Sequence, residues 1–345
     1  MKKKGVRLVL TMLVAVLVLW FLQRLLMPKY MSGIPEGAMI AEYYDSEKIH
    51  DVIFLGDCEV YEAFSPCYLG ERYGISSYVR GSAQQLIWQS YYLLEDTLRY
   101  ETPEAVVFNI MSLMHGEPQN EAYNRMTLDG MRWSASKWKA VQASMLEEES
   151  VWEYVFPLLR YHTRWQELGA EDVKYLFSRD KVTWEGYLLR VETKPVTVIP
   201  EPIELPDYTF SGYAMEYLEK LRVLCEKKGI ELIFVKAPSL YPHWYEEWEQ
   251  QVDAYAAEHG IAYYNFLELA EEAGIDYRTD TYDGGLHMNL SGAEKLSDYL
   301  GKKLVEVHGI PVRTGEETYQ NVWEPKVKLY HEEIEKKKSG VPEYE

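Results

Sequence analysis

Cysteine is scarce in this sequence of 345 residues, which has three cysteines and no Cys-x-x-Cys pair. An odd number leaves at least one thiol free or paired between chains, which argues against a scaffold held by disulfides. The spacing also supplies no thiolate set for zinc, so we predict no metal site. Cys67 and Cys225 are predicted to be structural, because unpaired cysteine usually packs as a small apolar side chain.

Positive charge is scarce as well. The chain has 36 Lys and Arg against 55 Asp and Glu, for a net charge of −19. Six of the basic residues and none of the acidic ones fall in residues 1–30, so the remainder has 30 basic against 55 acidic residues, a net charge of −25. Binding to phosphate backbones requires the opposite sign, and nucleic acid is therefore not expected as a partner.

Several common catalytic motifs are missing. The sequence has no G-x-S-x-G elbow, no H-E-x-x-H zinc helix, no G-x-x-x-x-G-K-[ST] loop and no G-x-G-x-x-G fingerprint. These absences exclude the serine hydrolases, zinc peptidases and nucleotide-binding enzymes that depend on those motifs. We accordingly predict no cofactor.

One long apolar run lies near the start of the chain. Residues 8–27 are apolar apart from three positions, have the length of a membrane-spanning helix and follow four basic residues. A cleaved signal peptide is the alternative, but no small-x-small cleavage site follows the run. We predict an uncleaved single-pass anchor in a cell membrane, with the amino terminus in the cytoplasm and the bulk of the chain outside.

Beyond the anchor, short apolar runs alternate with helical patterns. Strands are predicted at 51–56, 105–110, 231–235 and 261–266, and amphipathic helices at 84–100, 213–228 and 244–259. Buried strands separated by helices indicate an α/β protein with a parallel sheet covered on both faces.

The composition also suggests boundaries between regions. We predict a cytoplasmic tip and anchor at 1–29, a stalk at 30–48, one main domain at 49–312 and a charged tail at 313–345. Within the main domain, residues 114–205 are rich in tryptophan and tyrosine and do not alternate cleanly. They are predicted to form a largely helical insertion over the carboxyl edge of the sheet, where ligands bind in α/β folds.

The first predicted strand runs into the sequence GDCEVYEAF, at Gly56 to Phe64. Glycine allows a sharp turn after the strand, and the turn would expose Cys58 at the carboxyl edge. A following helix and a nearby imidazolium would favour the thiolate, whereas the Glu59 carboxylate would oppose it if it faced the same pocket. The alternative is that Cys58 is a buried filler or an inactivated position.

A second polar segment, DTYDGGLHMNLSGAEK, begins at residue 280. His287 stands in a loop with Asp283 four residues before it and Asp280 seven before it. Ser291 and Glu294 form an S-x-x-E capping box, which predicts that a helix starts there. Together with Cys58, this loop supplies an attacking group, a base and an orienting carboxylate, the three roles that acyl transfer requires.

These two segments resemble the SGNH/GDSL hydrolases. Gly56-Asp57-Cys58 matches their Gly-Asp-Ser block with cysteine in place of serine, and Asp283 to His287 resembles their terminal Asp-x-x-His block with one additional residue. The resemblance spans about residues 51–307 and is strongest to membrane-anchored bacterial members that acylate cell-envelope polymers. It implies a three-layer α/β/α flavodoxin-like sandwich.

The resemblance also implies roles for single residues. Cys58 becomes the nucleophile, His287 the base and Asp283, or alternatively Asp280, the orienting carboxylate. The residues that the resemblance implies for holding the oxyanion or the substrate are Gly81, Asn109, Asp57 and Glu59. Asn109 fits its block poorly, since neither the glycine nor the aspartate of the Gly-x-Asn-Asp pattern is present.

The function expected from this resemblance is extracytoplasmic acyl transfer or ester hydrolysis on a cell-envelope glycan or related acylated polymer. A membrane protein that exports acyl groups is the partner it implies. One alternative is a catalytically inactive domain of the same fold that binds glycan or scaffolds an envelope complex. A thiol peptidase is a further alternative, which the order of the motifs disfavours.

Overall fold

We analysed a computed structural model of the full chain, which describes residues 2–27, 29–30, 34–35, 37–177 and 181–340. Parts of the predicted stalk, at 31–33 and 36, and the end of the predicted tail, at 341–345, lie outside the described residues. The division of the chain into a stalk, a main domain and a tail stays a prediction.

Five parallel strands form the central sheet. They are β1 (Val52–Gly56), β2 (Ser77–Gly81), β3 (Ala105–Asn109), β4 (Glu231–Lys236) and β5 (Ala262–Asn265). Their spatial order is β2-β1-β3-β4-β5, and all four pairings are parallel. From β1 the chain moves to β2 on one side and then to β3 on the other, so the order reverses between β1 and β3. Such a switch point opens a crevice at the carboxyl ends of the strands.

Fourteen α-helices lie within the described residues. They are α1 (Lys2–Leu26), α2 (Ala38–Ala41), α3 (Cys58–Tyr61), α4 (Pro66–Tyr73), α5 (Ile87–Thr97), α6 (Glu121–Leu128), α7 (Ala135–Ser144), α8 (Val151–Val155), α9 (Leu158–Tyr161), α10 (Ala170–Phe177), α11 (Gly212–Lys228), α12 (Glu246–His259), α13 (Leu290–Glu306) and α14 (Glu317–Lys338). Three 3₁₀ helices, Glu42–Asp45, Ile110–Met114 and His162–Gln166, and a two-residue ladder of Lys29–Tyr30 with Ile34–Pro35 complete the described elements.

The sheet is buried on both faces. Successive residues of β1 point to opposite faces of the sheet. Ile53 packs with side chains of α5, α11 and α12 on one face, and Phe54 packs with side chains of α3, α4 and α13 on the other. This alternation follows from the two-residue period of a strand. The predicted three-layer α/β/α architecture with a parallel sheet is therefore confirmed.

The sequence patterns located four strands to within about a residue but missed β2. Its sequence, SYVRG, is fully buried, yet it contains a serine and an arginine that interrupt the apolar pattern. Arg80 is buried because its guanidinium donates to the Leu93 carbonyl and to the Thr97 hydroxyl. A charged residue can lie in a core when hydrogen bonds and an opposite charge compensate its burial, and the Asp96 carboxylate lies 3.7 Å from the same guanidinium.

The predicted capping box at Ser291 was wrong. Helix α13 begins at Leu290, and its N-cap is Asn289, two residues before Ser291; the Asn289 side chain accepts a hydrogen bond from the Gly292 N–H. Ser291 instead donates to the Asp280 carboxylate at 2.8 Å. Asparagine is among the best N-cap residues, so its side chain takes the role that the S-x-x-E pattern assigned to serine.

Helix α1 is long and apolar enough to cross a membrane over its 24 residues Lys3–Leu26, and it is the one helix with these properties among the described residues. Helix α14, at the other end of the chain, packs on α4. The Trp323 ring is buried against Gly70, where an added Cβ would approach the ring to 2.7 Å, and Tyr319 donates to the Gly70 carbonyl at 2.6 Å.

We expect Trp323→Ala to destabilise the protein by about 3–5 kcal/mol, because it removes a buried indole and leaves a cavity between α4 and α14. Denaturant unfolding of the full chain in mild detergent, followed by circular dichroism, measures the change. Leu329→Ala on the exposed side of α14 is the matched control and should change the stability by no more than about 0.5 kcal/mol. Equal effects of the two variants would show that α14 is not part of the core.

Candidate functional site

The turn that follows β1 lies at the switch point of the sheet. Gly56 has a φ of +155°, and an added Cβ there would approach Val60 Cγ2 to 2.5 Å and Asn109 Cβ to 2.9 Å. Glycine is thus required for the turn to pass so close to the end of β3. Asp57 then caps the four-residue helix α3 by accepting a hydrogen bond from the Glu59 N–H at 3.1 Å.

Glu59 points away from solvent into a buried ion pair. Its Oε1 and Oε2 lie 2.9 and 3.1 Å from Lys236 Nζ at the end of β4, and both side chains are almost completely buried. Lys236 also donates to the Ala237 carbonyl at 2.7 Å. The sequence left the direction of Glu59 open, and this geometry makes it a bridge between β1 and β4.

Asn109 joins the same network. Its Nδ2 donates to Glu59 at 2.9 Å and to Asp57 at 3.3 Å, while its Oδ1 accepts from the Ala237 N–H at 3.3 Å. These partners fix the orientation of the amide and use both of its hydrogens. In this structure the Asn109 side chain orients two carboxylates, and its expected oxyanion role stays a prediction.

The structure brings His287 and Asp283 together. His287 Nδ1 lies 2.7 Å from Asp283 Oδ2, and Asp283 Oδ1 accepts hydrogen bonds from the Leu286 and His287 N–H groups. The alternative carboxylate, Asp280, is occupied elsewhere by Ser291 and by Lys295 Nζ at 2.6 Å. Of the two carboxylates, Asp283 is thus the one that can orient the imidazole.

Sequence reasoning missed three residues around the imidazole. Glu62 is buried, with one oxygen 3.3 Å from His287 Nδ1 and the other accepting from the Tyr282 hydroxyl at 2.8 Å. Arg190, from the insertion, lies 3.7 Å from the same carboxylate. The sequence offered one signal for Glu62, which is its position four residues after Cys58. No pattern in the sequence connects either residue to Arg190.

Protonation of the imidazole is favoured by its neighbours. Burial works in the opposite direction, but the hydrogen bond to Asp283 and the charge of Glu62 raise the pKa of His287 above its usual value. Its other nitrogen, Nε2, is buried and has no hydrogen-bond partner among the described residues. A buried nitrogen without a partner is available to exchange a proton with a bound group.

Cys58 has a different environment from the one expected. Burial and the carboxylates of Asp57, Glu62 and Glu59 raise the pKa of the thiol well above its usual value. Helix α3 is too short to offset them, and within the described residues no hydrogen bond joins the thiol to His287. The expectation of a stabilised thiolate is therefore wrong for this state of the site. A hydrogen bond from the backbone N–H of Gln84, a residue in the left-handed region with φ +50°, acts in the opposite direction and lowers the pKa of the thiol.

Gly81, the predicted oxyanion glycine, lies beside this turn. It pairs with Gly56 in the sheet, and an added Cβ would approach the Gly56 carbonyl to 3.0 Å and the Tyr61 ring to 3.3 Å. The small residue lets the turn with Cys58 lie close to β2. Its role as an oxyanion donor stays a prediction.

Asp57 and Glu59 are held by Asn109 and Lys236, and the described residues contain no group of three or more His, Cys, Asp or Glu side chains arranged to hold a metal ion. Burial and the nearby Glu59 raise the pKa of Asp57, although Lys236 opposes this. The thiol, imidazole and carboxylates gathered here can transfer protons and supply a nucleophile.

No family model and no curated protein match this sequence. Among solved structures, the chain is similar to one from Desulfitobacterium hafniense DCB-2 that is described as a lipolytic protein of the G-D-S-L family. That similarity covers 73% of this chain and 99% of the other, with a TM-score of 0.36 and 11% sequence identity. A likeness this low bears on neither activity nor residue roles, and the architecture rests on the strand order described above.

We expect Asp283→Asn to lower the pKa of His287, because the charged partner that favours the imidazolium is lost. Titration of the histidine ring signals by NMR measures the shift, with His287→Gln used for the assignment. Asp280→Asn is the control and should leave this pKa unchanged, since Asp280 contacts Lys295 and not the imidazole. A shift in the control but not in Asp283→Asn would contradict the pairing.

Proposed function

We propose that this chain is an SGNH-type enzyme that transfers or hydrolyses acyl groups, with Cys58 as nucleophile, His287 as base and Asp283 as the orienting carboxylate. The observation that carries the proposal is the hydrogen-bonded pair of His287 and Asp283 at the edge of the sheet where Cys58 follows β1. The Nε2 atom of His287 is buried and has no hydrogen-bond partner among the described residues. The order along the chain, nucleophile first and the Asp/His loop late, supports the same assignment.

Attack by Cys58 must be coupled to its deprotonation. Since burial and three carboxylates keep the thiol neutral, the S–H proton passes to His287 Nε2 as the sulfur bonds to the carbonyl carbon. The carbonyl electrons move onto the oxygen, which becomes the oxyanion. This is the general-base route that serine enzymes use, and it needs no preformed thiolate.

The oxyanion requires donors near the sulfur, and two backbone groups are suited to the task. The Gln84 N–H already contacts the Cys58 sulfur, and the Cys58 N–H belongs to the first residue of α3, where no earlier carbonyl of the helix is available to it. We assign the oxyanion hole to these two amides, with Gly81 allowing their close approach.

Acyl transfer is completed by three proton movements. When the carbonyl re-forms, the C–O bond to the leaving alcohol breaks, and His287 returns the proton to that oxygen, leaving a thioester on Cys58. A hydroxyl of water or of a second substrate then gives its proton to His287 and attacks the thioester. The C–S bond breaks and the sulfur recovers the proton.

Asp283 and Glu62 act on this cycle through the imidazole. The Asp283 bond to Nδ1 fixes the tautomer that leaves Nε2 free to accept a proton, and Glu62 adds negative charge beside the imidazolium that forms. Both are positioning residues. They also hold His287 protonated to a higher pH than usual, so the neutral base becomes available only as the pH rises.

The substrate class comes from the family resemblance and from the anchor. We propose that α1 spans the cell membrane with its amino terminus in the cytoplasm, so that the site works outside the membrane on a cell-envelope glycan or related acylated polymer. The four basic residues before the apolar run support that orientation. A membrane protein that exports acyl groups is the partner such an enzyme would require for transfer.

A second candidate is a catalytically inactive domain of this fold that binds glycan or scaffolds an envelope complex. It is favoured by the raised pKa of Cys58 and by the lack of a hydrogen bond from the thiol to His287 within the described residues. In the enzyme, bound substrate has to bring the thiol and Nε2 into hydrogen-bond contact, whereas the inactive domain would never form it.

We expect Cys58→Ala to reduce acyl release from p-nitrophenyl acetate and from an acetylated oligosaccharide by at least about a thousandfold, because the nucleophile is lost. After a rapid acid quench, intact-mass spectrometry should detect one acyl group on the wild type and none on the variant. Cys225→Ala, which removes a buried thiol on α11, is the control and should keep the acyl adduct.

Each result of this experiment has a defined meaning. Undiminished release by Cys58→Ala would assign the attack to another residue. A wild type that releases no acyl group and forms no adduct on either substrate would favour the inactive domain.

We also expect kcat/KM to rise with pH through an inflection above 6.5, since only the neutral form of His287 accepts the proton and its pKa is raised. Glu62→Gln should move this inflection to lower pH, because one of the charges that favour the imidazolium is removed. Glu71→Gln, which removes the exposed partner of His331, is the matched control and should leave the profile unchanged. A profile that falls over this range would rule out His287 as the base.

A further inference from the structure

The far end of α1 emerges where the membrane ends. The apolar run at 8–27, which follows four basic residues, is about 30 Å long at 1.5 Å per residue, and this matches the hydrocarbon core of a bilayer, which is about 30 Å thick. The last turn of α1, which ends at Leu26, therefore lies at the level of the lipid headgroups on the outer side.

The insertion holds this last turn. Helices α9 and α10 and the 3₁₀ helix His162–Gln166 pack against α1, and Leu26 is buried between them. Arg164 Nη1 donates to the Leu26 and Met27 carbonyls at 3.0 and 2.7 Å, and Arg24 donates to the Tyr175 carbonyl at 3.4 Å. These bonds satisfy carbonyls that the helix end leaves unpaired, and they place the insertion at headgroup level.

The same part of the insertion exposes an unusual number of large apolar side chains. We call this set the aromatic face, and its members are Trp152, Phe156, Leu159, Trp165, Val173 and Phe177. Phe177 is 81% exposed and Trp165 is 66% exposed, while Trp152 and Phe156 stack at a ring distance of 6.4 Å. Large exposed apolar side chains concentrated at 152–177, on short helices that pack on one another or on α1, mark an interaction surface, in contrast to scattered single residues.

We propose that the aromatic face lies in the outer leaflet of the bilayer that α1 crosses, at the boundary between headgroups and acyl chains. Tryptophan and other aromatic side chains are favoured at this depth, because they are largely apolar and carry a polar edge that reaches water. The short helices α8, α9 and α10 would then be interfacial helices with their apolar sides in lipid. This inference rests on the proposed membrane anchoring of α1.

The bilayer fits this face better than a protein partner does. Three elements that carry the aromatic face, α9, α10 and the 3₁₀ helix His162–Gln166, pack directly on α1, and α8 packs on α9, so a bilayer that contains α1 lies beside them as well. Two attachments also fix the tilt of the domain, which a single helix would leave free to rotate. The catalytic edge would thereby be held at a constant orientation to the membrane surface.

Spin labelling of the full chain in lipid nanodiscs tests the proposal. A nitroxide is attached to Phe177→Cys or to Trp165→Cys in a Cys58→Ala background, whose two remaining thiols are buried and should take no label. Collision with dissolved oxygen and with a water-soluble nickel complex then reports whether each label lies in lipid or in water.

Two further positions serve as references. Leu13→Cys labels the middle of α1, and Val307→Cys labels an exposed apolar residue after α13, which runs away from the catalytic edge. We expect the labels at 165 and 177 to lose collisions with nickel and gain collisions with oxygen relative to the label at 307.

The outcomes separate the two proposals. Labels at 165 and 177 that behave like the label at 307, while the label at 13 is in lipid, would overturn the interfacial position and leave the anchor intact. A label at 13 that is exposed to nickel would overturn the anchoring and this inference with it, without bearing on the acyl chemistry measured with Cys58→Ala.

Discussion

The buried ion pair between Glu59 and Lys236 is the interaction on which the site depends. It ties the turn after β1 to the end of β4, across β3, and Asn109 completes its hydrogen bonds from β3 itself. A buried pair of this kind contributes little net stability when complete, but loss of one partner costs about 3–5 kcal/mol. It therefore acts as a positional constraint, which fixes the start of α3 and with it the direction of Cys58.

Around that constraint the site is predominantly acidic. The carboxylates of Asp57 and Glu62 favour the protonated forms of both the thiol and the imidazole. Glu59 adds to this effect at the thiol and Asp283 at the imidazole. A reactive thiolate would be unstable in such a field. This acidic environment is compatible with general-base catalysis, because the charges that disfavour the thiolate also stabilise the imidazolium that forms on His287.

Much of the fold could be predicted from the sequence, because burial of a strand or of a helix face follows a short local period. That signal failed at β2, where Arg80 enters the core through hydrogen bonds that no local pattern reveals. It also failed at the start of α13, where Asn289 competes with Ser291 for the cap. In both cases a polar side chain has a partner outside the local pattern: Arg80 donates to residues of α5, and Ser291 donates to Asp280 and does not cap the helix.

The sequence by itself determined that a glycine and Cys58 follow a buried strand, that two carboxylates, Asp283 and Asp280, stand near His287, and that one long apolar helix lies near the start of the chain. Only the tertiary structure decided that Glu59 binds a lysine 177 positions away and that Asn109 serves the carboxylates. Local spacing limits which residues share a turn or a face. Contacts between distant segments depend on the strand order, and that order is set by the packing of the whole sheet.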